Sequence, residues 1–198
     1  RHDAVVSVIT FVLTIIWAPH LDKGIMVGVI LSLMLFLYRS MAPRVAVLSR
    51  DPDGSLRDAE VRNLETCRNI SLIRFDGPLY FANTGYFEDK ILERVALKPD
   101  LKFVIVDAEG INEIDATGEE MLHNLVRRLR EAGVTLLIAR AKKQLWDIFE
   151  RTNLMDKLGR EHVCALRTQA FNYAWEQLGD NHAETCPLRV PRPLGSEA

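Results

Sequence analysis

The chain has 198 residues, enough for one ordinary domain with an appendage and for a real hydrophobic core. A net charge of −2 and the lack of any basic patch argue against nucleic acid as the main partner. Cys67, Cys164 and Cys186 are far apart and form no CxxC pattern, so they read as reduced thiols of a cytosolic compartment and not as a disulfide framework. The hydrophobicity is unevenly spread: no charge occurs from Ala4 to Pro19 or from Gly24 to Tyr38, whereas the remainder is charge-rich.

Residues 4–18 and 24–38 are two apolar runs of fifteen residues each. As helices each would span roughly 22 Å, short of the ~30 Å hydrocarbon core, so a buried helix pair of a soluble protein is the alternative. Three features favour a membrane hairpin. Lys23 and Arg39 can snorkel from the flanks. Trp17 and Tyr38 sit at segment ends, where interfacial aromatics belong. Neither segment has a polar face. Pro19 to Lys23 forms the turn, so both ends lie on one side, and Arg39, Arg44 and Arg50 place those ends in the cytoplasm. Gly24, Gly28 and Ser32, like Thr10, Thr14 and Ala18, recur every four residues, a spacing that lets membrane helices approach closely. The chain starts at Arg1, almost directly in an apolar run, which suggests a piece of a longer polypeptide with about a dozen more apolar spans upstream. A signal peptide is the other reading of residues 1–18, but Pro19 beside the cleavage site argues against it.

The hairpin is assigned to residues 1–39 and a linker to 40–44, where Pro43 ends any helix. From 45 the pattern alternates. Val45–Leu48 reads as a strand, Asp51–Ser55 as a turn, and Ile70–Phe75 as a second strand. Asn83 is placed to cap a helix running to about Leu97. Phe103–Val106 is uniformly apolar, as a buried strand of a largely parallel sheet should be. Thr117 to Glu120 makes a capping box for a helix ended by Gly133, so Thr117→Val is expected to cost about 1 kcal/mol. Val134–Ala139 follows as a strand, 142–151 as a helix, Val163–Leu166 as a short edge strand and Thr168–Leu178 as the last helix. Residues 45–179 therefore form an α/β domain: a mixed, mostly parallel sheet with covering helices. Residues 180–198 contain three prolines and no periodicity and are read as a disordered tail.

The densest polar cluster is DAEGINEIDATG, Asp107 to Gly118. Its carboxylates, Asp107, Glu109, Glu113 and Asp115, could form an acid/base pair or a cation site, or simply a polar loop that leaves a buried strand and caps a helix. The second reading is preferred. No nucleophile-and-base pair accompanies the acids, and neither a Walker A loop nor GxGxxG occurs. No catalytic residue, metal site or cofactor is assigned. His162 and Cys164 could supply two metal ligands, but no other ligand cluster joins them. FANTGYF, Phe81 to Phe87, is either a ligand platform or a helix anchor, the latter preferred.

IDATG at 114–118 resembles the signature loop of STAS domains, and RFDGPLYFAN at 74–83 resembles the opening of that domain in the SulP (sulfate permease) family. The hairpin is similar to the last two membrane helices of those transporters. The resemblance implies a STAS-like fold behind a transmembrane hairpin, in a secondary active carrier of an inorganic anion such as sulfate, whose anion site lies earlier in the polypeptide. It also implies a homodimer in the lipid bilayer, a bacterial inner-membrane location with 40–198 cytoplasmic, and a domain that regulates transport and docks a regulatory protein. The loop residues Asp115, Ala116, Thr117 and Gly118 are the regulatory site it suggests. In anti-sigma factor antagonists a phosphorylatable serine follows the loop aspartate. Here that position is Ala116, which disfavours the alternative of a membrane-anchored, antagonist-like signalling module.

Overall fold

The computed structural model describes residues 2–179 and 182–189. They divide into two compact units, Arg1–Pro43 and Arg44–Ala198.

The first unit is a helical hairpin, α1 (His2–Ile16) and α2 (Leu21–Met41). The second helix is longer than the apolar run suggests. It starts three residues before Gly24, because Asp22 suits a helix N-terminus, and it continues past Arg39, which suits a C-terminus. Its 21 residues give a rise of roughly 32 Å, enough to cross a hydrocarbon core. The linker shrinks accordingly to Ala42 and Pro43, since a strand begins at Arg44. A Cβ on Gly24 would lie 2.4 Å from the Thr14 hydroxyl oxygen, and one on Gly28 would lie 2.4 Å from Cγ2 of Thr10. The helices therefore run antiparallel with backbone against side chain at both glycines. The two threonine hydroxyls do not need an interhelical partner: Thr10 donates to the Val6 carbonyl and Thr14 to the Thr10 carbonyl, each at 2.8 Å.

The second unit is a six-stranded sheet in the order β2-β1-β3-β4-β5-β6. Its strands are β1 (Arg44–Arg50), β2 (Leu56–Asp58), β3 (Ile70–Asp76), β4 (Phe103–Asp107), β5 (Thr135–Ala139) and β6 (Val163–Cys164). β3 to β6 are mutually parallel, and β1 is antiparallel to both its neighbours, so the mixed, mostly parallel expectation holds. Side chains alternate across the sheet. Ile73, Phe75, Val104, Val106, Leu136 and Ile138 face one way, against α4 (Thr84–Leu97), α5 (Ala116–Glu131), α6 (Lys143–Arg151) and α7 (Leu154–Leu158). Ile70, Leu72, Phe103, Ile105 and Leu137 face the other way, against α8 (Arg167–Leu178).

Several short elements depart from the expectations. β2 and the one-turn helix α3 (Ala59–Arg62) fall where no periodicity exists. Asp58 makes α3 by accepting the N–H groups of Glu60 and Val61 at 3.1 and 3.3 Å. The last strand has two residues, not four. The tail is also corrected in part. α9 (His182–Thr185) follows α8, and Cys186 and Leu188 are buried on the α8 face of the sheet. The Arg50 guanidinium donates to the Leu188 carbonyl at 3.0 Å. Two apolar residues in a proline-containing stretch anchor it, too few to leave a periodic signal. The remaining tail positions, 180, 181 and 190–198, lie outside the described residues.

Candidate functional site

The acidic loop leaves the C-terminal end of β4, where open α/β sheets usually place their functional groups. Asp107, the last strand residue, is fully buried. A buried carboxylate needs a partner, and Arg167 at the start of α8 supplies two donors to its Oδ2, Nε at 2.9 Å and Nη2 at 2.5 Å. Glu109, on the 3₁₀ turn Ala108–Gly110, receives both terminal nitrogens of Arg140 and also Nη2 of Arg167 at 3.4 Å. Each of these two carboxylates is thus engaged by arginine. They cross-link β4, β5 and α8, and they do not form the acid/base pair that their sequence spacing allows. Gly110 makes the turn fit: a Cβ there would lie 2.3 Å from the Phe75 carbonyl oxygen.

Beyond the turn the loop runs beside residues 77–81. The Leu79 N–H donates to the Glu113 carbonyl at 2.9 Å, and the Asp115 N–H to the Leu79 carbonyl at 3.1 Å. Asp115 then holds both segments with its side chain. Its Oδ1 accepts the Gly118 N–H at 2.8 Å, which caps α5, and its Oδ2 accepts the Phe81 N–H at 2.9 Å. The cap assigned to Thr117 therefore belongs to Asp115, and α5 begins at Ala116, two residues earlier than the capping box implies. Thr117 lies inside the first turn and points to solvent, because the aspartate ahead of it reaches the same free N–H groups with a charge that the helix dipole favours. Gly118 is needed where it stands: a Cβ would sit 2.9 Å from the Leu79 carbonyl oxygen and 2.8 Å from Ile114.

The result is a rigid corner with an exposed rim. Ala116 and Thr117 are exposed at the helix start, and Phe81, tied to the same aspartate through its backbone, is 68% exposed. Tyr80 packs edge-to-face on Phe81 at 5.6 Å. Phe87, by contrast, is buried and meets Phe75 edge-on at 5.0 Å, so FANTGYF contains one anchor and one exposed aromatic. Asn83 occupies the cap position of α4, but its side chain closes the preceding turn instead, accepting from the Tyr80 N–H at 3.0 Å and donating to the Pro78 carbonyl at 2.9 Å. Sequence reasoning missed Phe81 as a surface group and Arg140 and Arg167 as carboxylate partners. An aromatic at a turn was the only local signal for the first, and nothing local signals the arginines.

His162 and Cys164 do not converge on a metal position. The His162 ring nitrogens contact the Leu158 carbonyl and, at 2.8 Å, the Tyr173 hydroxyl, while the Cys164 thiol donates to the Glu161 carbonyl at 3.8 Å. Burial pushes the Cys164 thiol up. A separate groove of about 570 Å³ lies along α5, lined by His123, Asn124, Arg127, Arg130 and Lys157 among others.

The family profile described as "STAS domain" matches residues 62–168, which include the whole corner. The chain belongs to the STAS-domain family. Among curated proteins it is 28% identical over 211 residues to "Sulfate transporter 4.1, chloroplastic" of Arabidopsis thaliana, a match covering 98% of this chain and 30% of that protein. It is 29% identical to "Probable sulfate transporter 4.2" of the same plant, over 71% of this chain and 23% of that protein. The resemblance to SulP transporters carried by RFDGPLYFAN and IDATG is shown by these relatives. The chain spans less than a third of their length. Among solved structures, the murine Solute Carrier 26 family member A9 anion transporter in the inward-facing state matches with a TM-score of 0.74 at 21% identity, over 88% of this chain and 28% of that one, so the STAS fold is shared with it.

Proposed function

We propose that this chain comprises the last membrane hairpin and the cytoplasmic STAS domain of a secondary active inorganic anion transporter. Sulfate is the foremost cargo. The observation that carries the reading is the 98% coverage in the match to a sulfate transporter, which runs through both the hairpin and the domain. The 21-residue α2 supports a bilayer span, with residues 40–198 on the cytoplasmic side of a bacterial inner membrane. The anion site belongs to a part of the transporter outside this chain. The STAS domain regulates transport and docks partners through the loop Asp115, Ala116, Thr117 and Gly118, whose exposed rim is Ala116, Thr117 and the neighbouring Phe81, and the transporter works as a homodimer.

The test is uptake of radiolabelled sulfate by vesicles holding the protein from its complete reading frame. Saturable uptake is expected. Phe81→Ala and Thr117→Asp should change its maximal rate while leaving the melting temperature of the domain unchanged. Absence of uptake for sulfate and for other inorganic anions, by folded protein, would overturn the reading. The signalling alternative makes a different prediction: phosphate on Thr117, since Ala116 has no hydroxyl, in a protein that moves no anion.

A further inference from the structure

The groove along α5 has a volume of about 570 Å³, within the range of roughly 300–1,000 Å³ that small-molecule sites occupy. Two helices build it. On α5, His123, Arg127 and Arg130 follow at intervals of four and three residues and so share one face, with the buried Val126 beside them. Lys157 lines the groove from α7. Arg130 ties the two helices together, since its Nη2 donates to the Lys157 carbonyl at 2.7 Å.

The charges here are unbalanced. Arg128, also on α5, turns aside to Glu88 of α4 at 2.6 Å. Arg127 has an exposed pairing with Glu131 at 3.2 Å, a kind of contact that is worth little and that a ligand can displace. Among the described residues the Arg130 guanidinium and the Lys157 ammonium meet no carboxylate. Nδ1 of His123 is buried and has no hydrogen-bond partner among the described residues. Buried polar atoms are normally paired, so the wall lacks a polar group that the chain itself does not supply.

We propose that this groove binds a small organic phosphate, a doubly charged head on a compact apolar body.

The head follows from the two cations without a carboxylate. A phosphate monoester carries close to two negative charges at neutral pH. The planar fork of an arginine suits two of its oxygens at once, and a lysine adds a point charge. The body follows from the lining. Val126 and the methylene stems of Arg127 and Arg130 present hydrocarbon, which an inorganic anion would leave uncovered. Length sets the size of the ligand. Residues 123–131 rise by roughly 12 Å along α5, room for a small molecule and not for a docked helix of several turns.

The test is surface plasmon resonance with the full chain immobilised in detergent and phenyl phosphate as the probe. Saturable binding is expected, with a Kd on the order of 1 mM or tighter. Phenol, which has the body without the charge, and inorganic phosphate, which has the charge without the body, should each bind about tenfold more weakly. Arg130→Gln and Lys157→Gln should each weaken the probe about fivefold, and Glu131→Gln, which frees Arg127, should strengthen it. All three side chains are exposed, and the melting temperature of each variant checks that it folds. A second measurement needs no variant: phenyl phosphate should protect Arg127 and Arg130 of the wild type from phenylglyoxal, read by mass spectrometry, while the exposed Arg62 stays reactive. Inorganic phosphate binding as tightly as the probe would reduce the groove to a non-specific anion site and overturn the proposal. Equal binding of phenol, affinity unchanged in both Arg130→Gln and Lys157→Gln, or binding of an oligoglutamate peptide without binding of phenyl phosphate would overturn it as well.

Discussion

The carboxylate of Asp115 accepts one N–H from its own helix and one from the neighbouring segment, so its loss is felt twice. Asp115→Ala should destabilise the domain by about 2 kcal/mol, half from the cap and half from the stranded Phe81 N–H. Asp115→Asn, which keeps a capping oxygen, should cost less. Thr117→Val should shift stability by under about 0.5 kcal/mol, since the hydroxyl is exposed and inside the helix; chemical denaturation measures all three. Arg167→Leu leaves Asp107 charged and unpaired in the interior and should cost about 3 kcal/mol or more. Cys67 adds a pH dependence. Its folded value, about 6, lies below that of an unfolded thiol near ~8.5, so its ionised form contributes stability above that range, and this is lost as pH falls through about 6. Cys186 is shifted the opposite way, so its contribution is present below the unfolded range and lost above it. The melting temperature should climb from pH 6 to about 8.5 and fall beyond, and the climb should vanish in Cys67→Ser. The position of the corner was legible in the sequence, because a polar loop must separate a buried strand from an amphipathic helix. Which side chain caps was not: Asp115 and Thr117 are both good caps two residues apart, and only the course of residues 77–81 decides between them. The arginine partners come from 31 and 58 residues away and leave no local trace.

At the scale of elements, the hairpin depends on two positions that carry no side chain. Gly28→Ile must displace Thr10, and packing strain of that kind typically costs 1–3 kcal/mol, on the order of which we expect in SDS titrations of the full chain in mild detergent. The turn between the helices should face away from the cytoplasm. A cysteine introduced by His20→Cys should react with a membrane-impermeant maleimide added outside intact cells, and protection from that reagent would reverse the topology. The longer elements were legible because their signals are strong: α4, α5 and α6 present apolar residues at helical spacing, and β4 is apolar from Phe103 to Val106. α3, α7, α9, β2 and β6 have two to five residues each, too few to repeat a pattern, and they exist through tertiary contacts. The 182–189 segment is the clearest case: Cys186 and Leu188 find cover only because β1 and α8 are already in place.

At the scale of the whole molecule, the conjunction of an apolar hairpin with a STAS sheet supports a transporter more than either part does alone. The order of strands carries one more consequence. The sheet ends in β2 at one edge and β6 at the other, three and two residues long. Strands so short expose few open backbone groups, and a neighbouring copy gains little by adding a strand to them. Copies of this domain can therefore collide repeatedly without zipping into fibrils, and they remain available for whatever pairing their side chains specify.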